Sequence, residues 1–516
     1  MAVPFKGADE IMPEIDRSSE GPKNNFKGKL LATLIASAVV MSFIATMIIA
    51  SVPSEGNSPA RITYEIHNPI LINNSADFAS QAVNESWLGD GTSETPYIIQ
   101  GYEISASSMP GIQIFDSDVY FIIEGCYIHD GGADVIGHHG IYLDTCTNGA
   151  LTNNICSNNN DGILLWDCTG SNTLSNNNCS GNYYGIYLES SGGSTVSNNI
   201  CSSNVNDGLH LPSSSYSTAT NNTCISNGGH GLSLDTSNFC TLTNNTCRSN
   251  DHSGIFLYES INNTISGNNC SSNVQNGILL DTSCSHNTLS DNHCWDNDYY
   301  GIDVKSNSNN NTVINNDCQL NYNGIVMEHS SGSALSNNTC YDNYYGIYLY
   351  IYCDHNVLYN NSCLSNTDGI YLDSSSNNTL FNNTCSNSSS SGIYVAVSSF
   401  YNTIWNNTFY HNNGAGDTYS DAHIQAADYG ANNRWNSTRG YGNWWSDWTT
   451  PDVALPTGVV DNPYNVTGTA LAQDRYPLTA PGVIVLIPEF SAAIVPMTGL
   501  MLIALLLGKT RRKPLT

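Results

Sequence analysis

Asp207, His210, His230 and Asp235 place two carboxylates and two imidazoles within a short stretch of this 516-residue chain. An inverting glycoside hydrolase needs a carboxyl pair about 6.5–9.5 Å apart, one protonating the leaving oxygen and the other activating water. Asp207 and Asp235, with His210 and His230 beside them, are the best such group here. A chain this rich in acids also yields such pairs by chance.

A second set suits sugars without cleaving them. Tyr142, Tyr187, Tyr348, Tyr371 and Tyr394 recur in one sequence frame, with Asp144 and Asp373 two residues after Tyr142 and Tyr371. Aromatic faces stack on the apolar faces of pyranose rings, and carboxylates accept hydroxyl hydrogen bonds. The same residues also fit a plain strand face, because Tyr favours strands and Asp keeps a surface soluble.

A third set could bind metal. His129, His138 and His139, with Asp130 and Asp134, fall in the irregular stretch IHDGGADVIGHHG, and imidazoles of this kind suit copper or zinc. Uronate lyases and epimerases need a cation to neutralise the substrate carboxylate. The repeats offer only Arg248 and Lys305, which disfavours that chemistry.

The elements that position these residues follow from a period. A glycine followed by a short apolar strand returns every 22 to 24 residues from Gly140 to Gly392. Each unit reads G-I-x-L, polar turn, N-T-L, N-N-x-C, polar turn, as in GIYLDSSSNNTLFNNTCSNSSS from Gly369. A fixed period of this length marks a solenoid. The units are poor in helix formers, and each closes through a second and a third strand, so the pattern selects a parallel β-helix over helical or leucine-rich repeats.

Equivalent residues of successive coils then stack about 4.8 Å apart in columns. Ile141, Leu143, Leu174 and Cys156 head interior columns, and an asparagine stands two residues before each cysteine of the Cys156 column, which runs to Cys385. Stacked amides hydrogen-bond from coil to coil. A second asparagine column, from Asn159 to Asn366, falls where the chain turns and is expected to take the left-handed conformation. The column cysteines point the same way at a spacing that suits free thiols rather than disulfides. Cys126, Cys146, Cys168, Cys240, Cys284 and Cys353 lie off that column and are the better bridge candidates.

Sequons at Asn221, Asn244, Asn337, Asn360, Asn382 and Asn406 each precede a buried-column asparagine. Alternation turns them outward, as a possible glycan stripe. The net charge of −29, with most of the 15 basic residues in the leader and tail, argues against a nucleic-acid partner.

Both ends carry export signals. Residues 30–50 are apolar over about a membrane-spanning length and follow Lys23, Lys27 and Lys29, as in a signal peptide or signal anchor. Near the other end Pro488, Glu489 and Phe490 precede the apolar run 491–507 and a basic tail. That order reads as a stop-transfer helix, and it resembles the PEF-CTERM sorting signals of archaeal surface proteins, which implies an archaeosortase-type processing partner. The β-helix then faces outward from a membrane-anchored, cell-surface position.

GDGTSETPYIIQGYEI (residues 89–104), NRWNSTRGYGNWWSDWTTPD, DNPYNV and DRYPL (within 433–478), together with the repeats, resemble the NosD-type right-handed parallel β-helix proteins of archaeal genomes. The resemblance implies a carbohydrate-binding or sugar-hydrolysis type of β-helix, and copper handling by the family's name. Similar chains often carry an acidic calcium loop after WSDW. Here the segment reads TTPDVALPTGVVDNPY and departs from that pattern.

The sequence thus predicts an all-β fold, a single right-handed parallel β-helix of about 23-residue coils flanked by N- and C-terminal hydrophobic helices. The expected parts are a signal segment (1–53), an N-terminal cap with first coils (54–110), regular coils (111–430), a C-terminal cap (431–480) and a sorting segment (481–516). The expected function is recognition of cell-surface or extracellular polysaccharide, adhesion or shielding. A polysaccharide hydrolase is the alternative and a copper-handling role the third reading, with calcium or copper as the possible metals.

Overall fold

The computed structural model describes residues 64–449, 451–453 and 458–481. Three long parallel sheets run side by side, of 15, 14 and 16 strands, and every strand pairs with its equivalents one coil away. The chain winds through the three in turn, about 14 times, as a right-handed parallel β-helix. The two hydrophobic end segments, including Pro488, Glu489 and Phe490, lie outside the described residues. Among the described residues no helix is long and apolar enough to cross a membrane.

One regular coil contains the strands Asp161–Trp166, Thr173–Ser175 and Asn178–Ser180. Its register holds Ile163 to Ile186, Leu165 to Leu188, Leu174 to Val196 and Cys156 to Cys179. These columns are fully buried and make one continuous core. The repeated glycine is required by packing rather than by its own backbone angles. A Cβ on Gly162 would lie 2.5 Å from the Gly185 carbonyl oxygen and 2.9 Å from the Cys179 Cβ.

The asparagines before the cysteines form the expected ladder. Asn177 donates from its backbone N–H and its Nδ2 to Asn199 Oδ1, both at 2.9 Å, and from Nδ2 to the Leu151 carbonyl at 2.9 Å. Its own Oδ1 accepts the matching pair from Asn154. Every polar atom of the buried amide is therefore satisfied.

The second asparagine column is corrected in one respect. It builds another interior ladder, as in Asn204 N–H to Asn227 Oδ1 at 3.1 Å, and the left-handed turn residue is its predecessor, such as Asn158, Gly181, Ser203 or Ser226. A third ladder, unmarked in the sequence reading, runs through Asn263, Asn287 and Asn311 at the next corner.

The off-column cysteines do not form bridges, since all seventeen cysteines are free and buried. Cys146, Cys168, Cys284 and Cys353 share a corner column with Ser191, Ser214, Ser237 and Ser260. There each sulfur or hydroxyl accepts the backbone N–H of the preceding coil, as in Cys146 N–H to Cys168 Sγ at 3.2 Å and Cys168 N–H to Ser191 Oγ at 3.0 Å. Cys126 heads the first asparagine ladder and Cys240 sits in the third. Sulfur stands in for oxygen at these corners.

Both ends of the coil stack are covered. The helix α1, Ser75–Asn84, is capped by the Asn74 side chain, and its Phe78 stacks on Tyr97 at 5.0 Å over the first coils. At the other end Trp445 stacks between Phe409 (4.1 Å) and Tyr464 (3.9 Å), and its indole N–H donates to Asp474 at 2.9 Å.

Candidate functional site

The outer face of the 15-stranded sheet carries three rows of side chains along the solenoid axis. Before the glycine stand His139, Asp161, Tyr184, Asp207, His230, Tyr300, Tyr345 and Asp368. Between the buried Ile and Leu columns stand Tyr142, Leu164, Tyr187, His210, Ser233, Asp303, Val326, Tyr348, Tyr371 and Tyr394. After the Leu column come Asp144, Trp166, Glu189, Asp235, Asp281, Lys305, Glu328, Tyr350 and Asp373.

Towards the N-terminus, Tyr142, Leu164, Trp166, Tyr184 and Tyr187 floor an open groove of about 590 Å³, walled by Asp134 and Ile136 of the irregular loop. The tyrosines are oriented by neighbouring acids. Tyr142 donates to Asp144 Oδ2 at 2.9 Å and Tyr187 to Glu189 Oε2 at 2.6 Å. Burial, then these acids, raise both phenols well above their ordinary range, so they remain donors.

Further along, Tyr348, Tyr371 and Tyr394 meet Tyr345 and Tyr429 in one aromatic platform. Tyr371 stacks on Tyr394 at 4.7 Å and 3° and on Tyr345 at 4.6 Å, Tyr394 stacks on Tyr429 at 5.4 Å, and Tyr348 meets Tyr371 edge to face. Asp373 flanks it, holding Ser374 Oγ at 3.0 Å. The seven expected sugar-binding residues thus divide between two patches of one face.

The expected hydrolase pair is not brought together. Asp207 aligns with His230, whereas Asp235 aligns with Pro212, so the two carboxylates sit five strand positions apart, about 16 Å along the strand. Asp207 instead closes a local cluster. Its Oδ1 accepts the His230 backbone N–H at 2.7 Å, and its Oδ2 accepts Ser233 Oγ at 2.6 Å and lies 3.3 Å from His210 Nδ1. Ser233 Oγ meets the same His210 nitrogen at 2.5 Å, so serine and aspartate share one imidazole nitrogen instead of flanking the ring as in a catalytic relay. Burial would raise Asp207, but the His210 hydrogen bond and the nearby imidazoles outweigh it and hold the carboxyl well below its usual range. Burial pushes His230 down to about 4, neutral at physiological pH. Ser233, 1% exposed, is the member of this cluster that the sequence reading left unassigned.

The three histidines of the irregular coil do not converge either. His129 lies 2.9 Å from Asp130 and 3.4 Å from Glu103, while His139 lies 2.9 Å from Asp161 on another strand. Among the described residues no group of three or more His, Cys, Asp or Glu is placed to hold a metal ion. Among the described residues the donor set therefore fits neither copper nor zinc.

The sequon asparagines all occupy left-handed turn positions, with φ between 53° and 57°. Asn221, Asn244, Asn337 and Asn360 are exposed and Asn382 half-buried. Asn406 is 5% exposed and its amide bonds Asn382 Oδ1, which closes it to modification in the folded chain.

One functional candidate escaped the sequence reading. Asp303, on the same face, is 3% exposed with Oδ1 lacking any hydrogen-bond partner. It was visible only as one of many outward acids, because its setting depends on residues a coil away.

No curated protein matches the chain. Among solved structures, the A-module of the Azotobacter vinelandii mannuronan C-5 epimerase AlgE4 is 16% identical with a TM-score of 0.45, over 66% of this chain and 98% of that one. The catalytic unit of the GH87 α-1,3-glucanase from Streptomyces thermodiastaticus strain HF3-3 is 14% identical with a TM-score of 0.40, over 72% of each chain. The family model described as periplasmic copper-binding protein (NosD) matches residues 103–246, 202–323 and 272–450, and the chain accordingly belongs to the NosD family.

Proposed function

We propose that the protein is an exported, surface-anchored β-helix that binds cell-envelope or extracellular polysaccharide along the outer face of its 15-stranded sheet, serving recognition, adhesion or shielding. The observation that carries this reading is the platform of Tyr345, Tyr348, Tyr371, Tyr394 and Tyr429, whose rings repeat coil by coil beside Asp373. Because the rings stack on one another along the axis, such a surface offers a polymer laid along it a succession of ring edges and phenol hydroxyls, with Asp373 at the rim for its hydroxyls. The groove at Tyr142, Trp166 and Tyr187 is a second contact for the same chain of sugars.

The export and sorting segments support a location outside the membrane, with an archaeosortase-type enzyme processing the end at Pro488, Glu489 and Phe490. The five accessible sequon asparagines, Asn221, Asn244, Asn337, Asn360 and Asn382, are proposed as glycosylation sites.

The full-length chain should bind at least one polysaccharide on a glycan array. Tyr371→Ala should weaken that binding at least tenfold, while Tyr359→Ala on a different sheet leaves it unchanged. No binding across the array, or equal loss in both variants, removes the reading. Labelling of intact cells with a membrane-impermeant reagent tests the location, which fails if only lysed cells are labelled.

A further inference from the structure

Asp303 is the residue of the outer face whose chemistry disagrees with its setting. Its partners in the row on adjacent coils are the buried Leu279 and Val326, and Oδ1 has no hydrogen-bond partner. A desolvated, unpartnered carboxyl costs stability, and a face that only had to pack would continue the Leu and Val. In the next row Asp281, Lys305 and Glu328 stand on three successive coils, with Lys305 Nζ 3.5 Å from Asp281 Oδ2. One coil across and two residues along separate the backbones of Asp303 and Glu328 by about 8 Å. Inverting hydrolases hold their two carboxyl groups about 6.5–9.5 Å apart, a separation that side chains on backbones this close can reach.

We propose that Asp303 and Glu328 are the general acid and general base of a polysaccharide-hydrolase site acting with inversion on a neutral or amino-sugar polymer. The proposal rests on the carbohydrate-binding reading, because the polymer reaches the pair from the tyrosine platform, two coils or about 10 Å from Asp303 to Tyr348. Glu328 takes the base role because Lys305 already engages Asp281. The carboxylates Asp281, Glu328 and Asp373 along this stretch repel a uronate polymer, which fixes the substrate class.

In the reaction, the water oxygen bonds the anomeric carbon as the glycosidic C–O bond breaks. Glu328 takes a proton from the water, Asp303 gives its proton to the leaving oxygen, and both carboxyls reset by exchange with solvent. Burial raises Asp303 to about 7, partly offset by Lys305 and reinforced by Glu328 and Asp281. With Tyr300, these are the titratable groups that face it, and burial keeps the carboxyl protonated up to near-neutral pH.

The test measures binding and reducing-end release together, with full-length protein in detergent and laminarin, α-1,3-glucan, cellulose, galactan and chitosan as probes. At least one bound polymer should be cleaved, with activity falling above pH 7. Asp303→Asn and Glu328→Gln should each lower the rate at least 100-fold, leave binding within twofold, and in the case of Asp303→Asn raise the unfolding midpoint. Binding to none removes the carbohydrate reading and this proposal with it. Binding without release removes only this proposal. So does an Asp303→Asn variant that unfolds earlier or fails to fold, since the carboxylate would then be a structural partner of Lys305.

Discussion

At the residue scale the molecule separates acids that serve the fold from one that the fold does not use. Asp207 is ionised, hydrogen-bonded and tied to His210, Ser233 and the His230 backbone. His230, stacked on Phe256 at 4.4 Å, titrates near 4 when folded against an ordinary 6.5. Between those values the unfolded chain binds more protons. The contribution of His230 to stability is therefore complete above pH 6.5, is lost as pH falls towards 4, and is constant below that. The size is about 3 kcal/mol. His230→Asn keeps an acceptor for the Ser253 N–H and removes the titration. Denaturant midpoints of this variant should fall less than those of the parent between pH 6.5 and 4, and parallel curves would refute the assignment. The outward position of Asp207 and Asp303 was legible from strand alternation. The quality of each site was not, because it depends on coil neighbours such as Ser233, Leu279 and Val326, whose identity no local pattern constrains.

At the element scale, stability resides in columns, and one residue type means different things in different columns. Asn245 accepts from the backbone N–H and Nδ2 of Asn222 and donates to the Ala219 carbonyl and Asn268 Oδ1. Asn245→Ala should lower the unfolding free energy by about 3 kcal/mol in guanidinium titrations, since several buried groups lose partners at once. Cysteines should divide sharply. Cys168→Ser should change stability by less than about 0.5 kcal/mol, because Ser191 and Ser214 already fill that corner with hydroxyls. Cys247→Ser should cost about 2 kcal/mol, because its column is apolar and fully buried. Equal effects would contradict the two-column assignment. The glycine period, the Ile, Leu and Cys columns and the first ladder could all be read from the chain, since each repeats a single letter. The Ser/Cys corner and the third ladder mix letters, Asn263 with Cys240 or Cys168 with Ser191, and only the geometry shows that oxygen and sulfur do the same job there.

At the scale of the whole molecule, the described residues form one core held by coil-on-coil contacts and closed by α1 and the Trp445 stack. With every cysteine unbridged, the thermal midpoint should be the same with and without a strong reductant, and a fall on reduction would reveal disulfides. The hydrogen bonds between coils all run along the solenoid axis, so a pull applied between its two ends loads every interface in series and each must bear the full force. Rupture then begins at whichever interface is weakest, and around Ser217 the third ladder has no amide and a buried hydroxyl lacks a partner. Each coil released pays out roughly 80 Å of extended chain. Drawn out by force, the fold is a stack of sacrificial links that lengthens in equal steps, a shock absorber rather than a rigid rod.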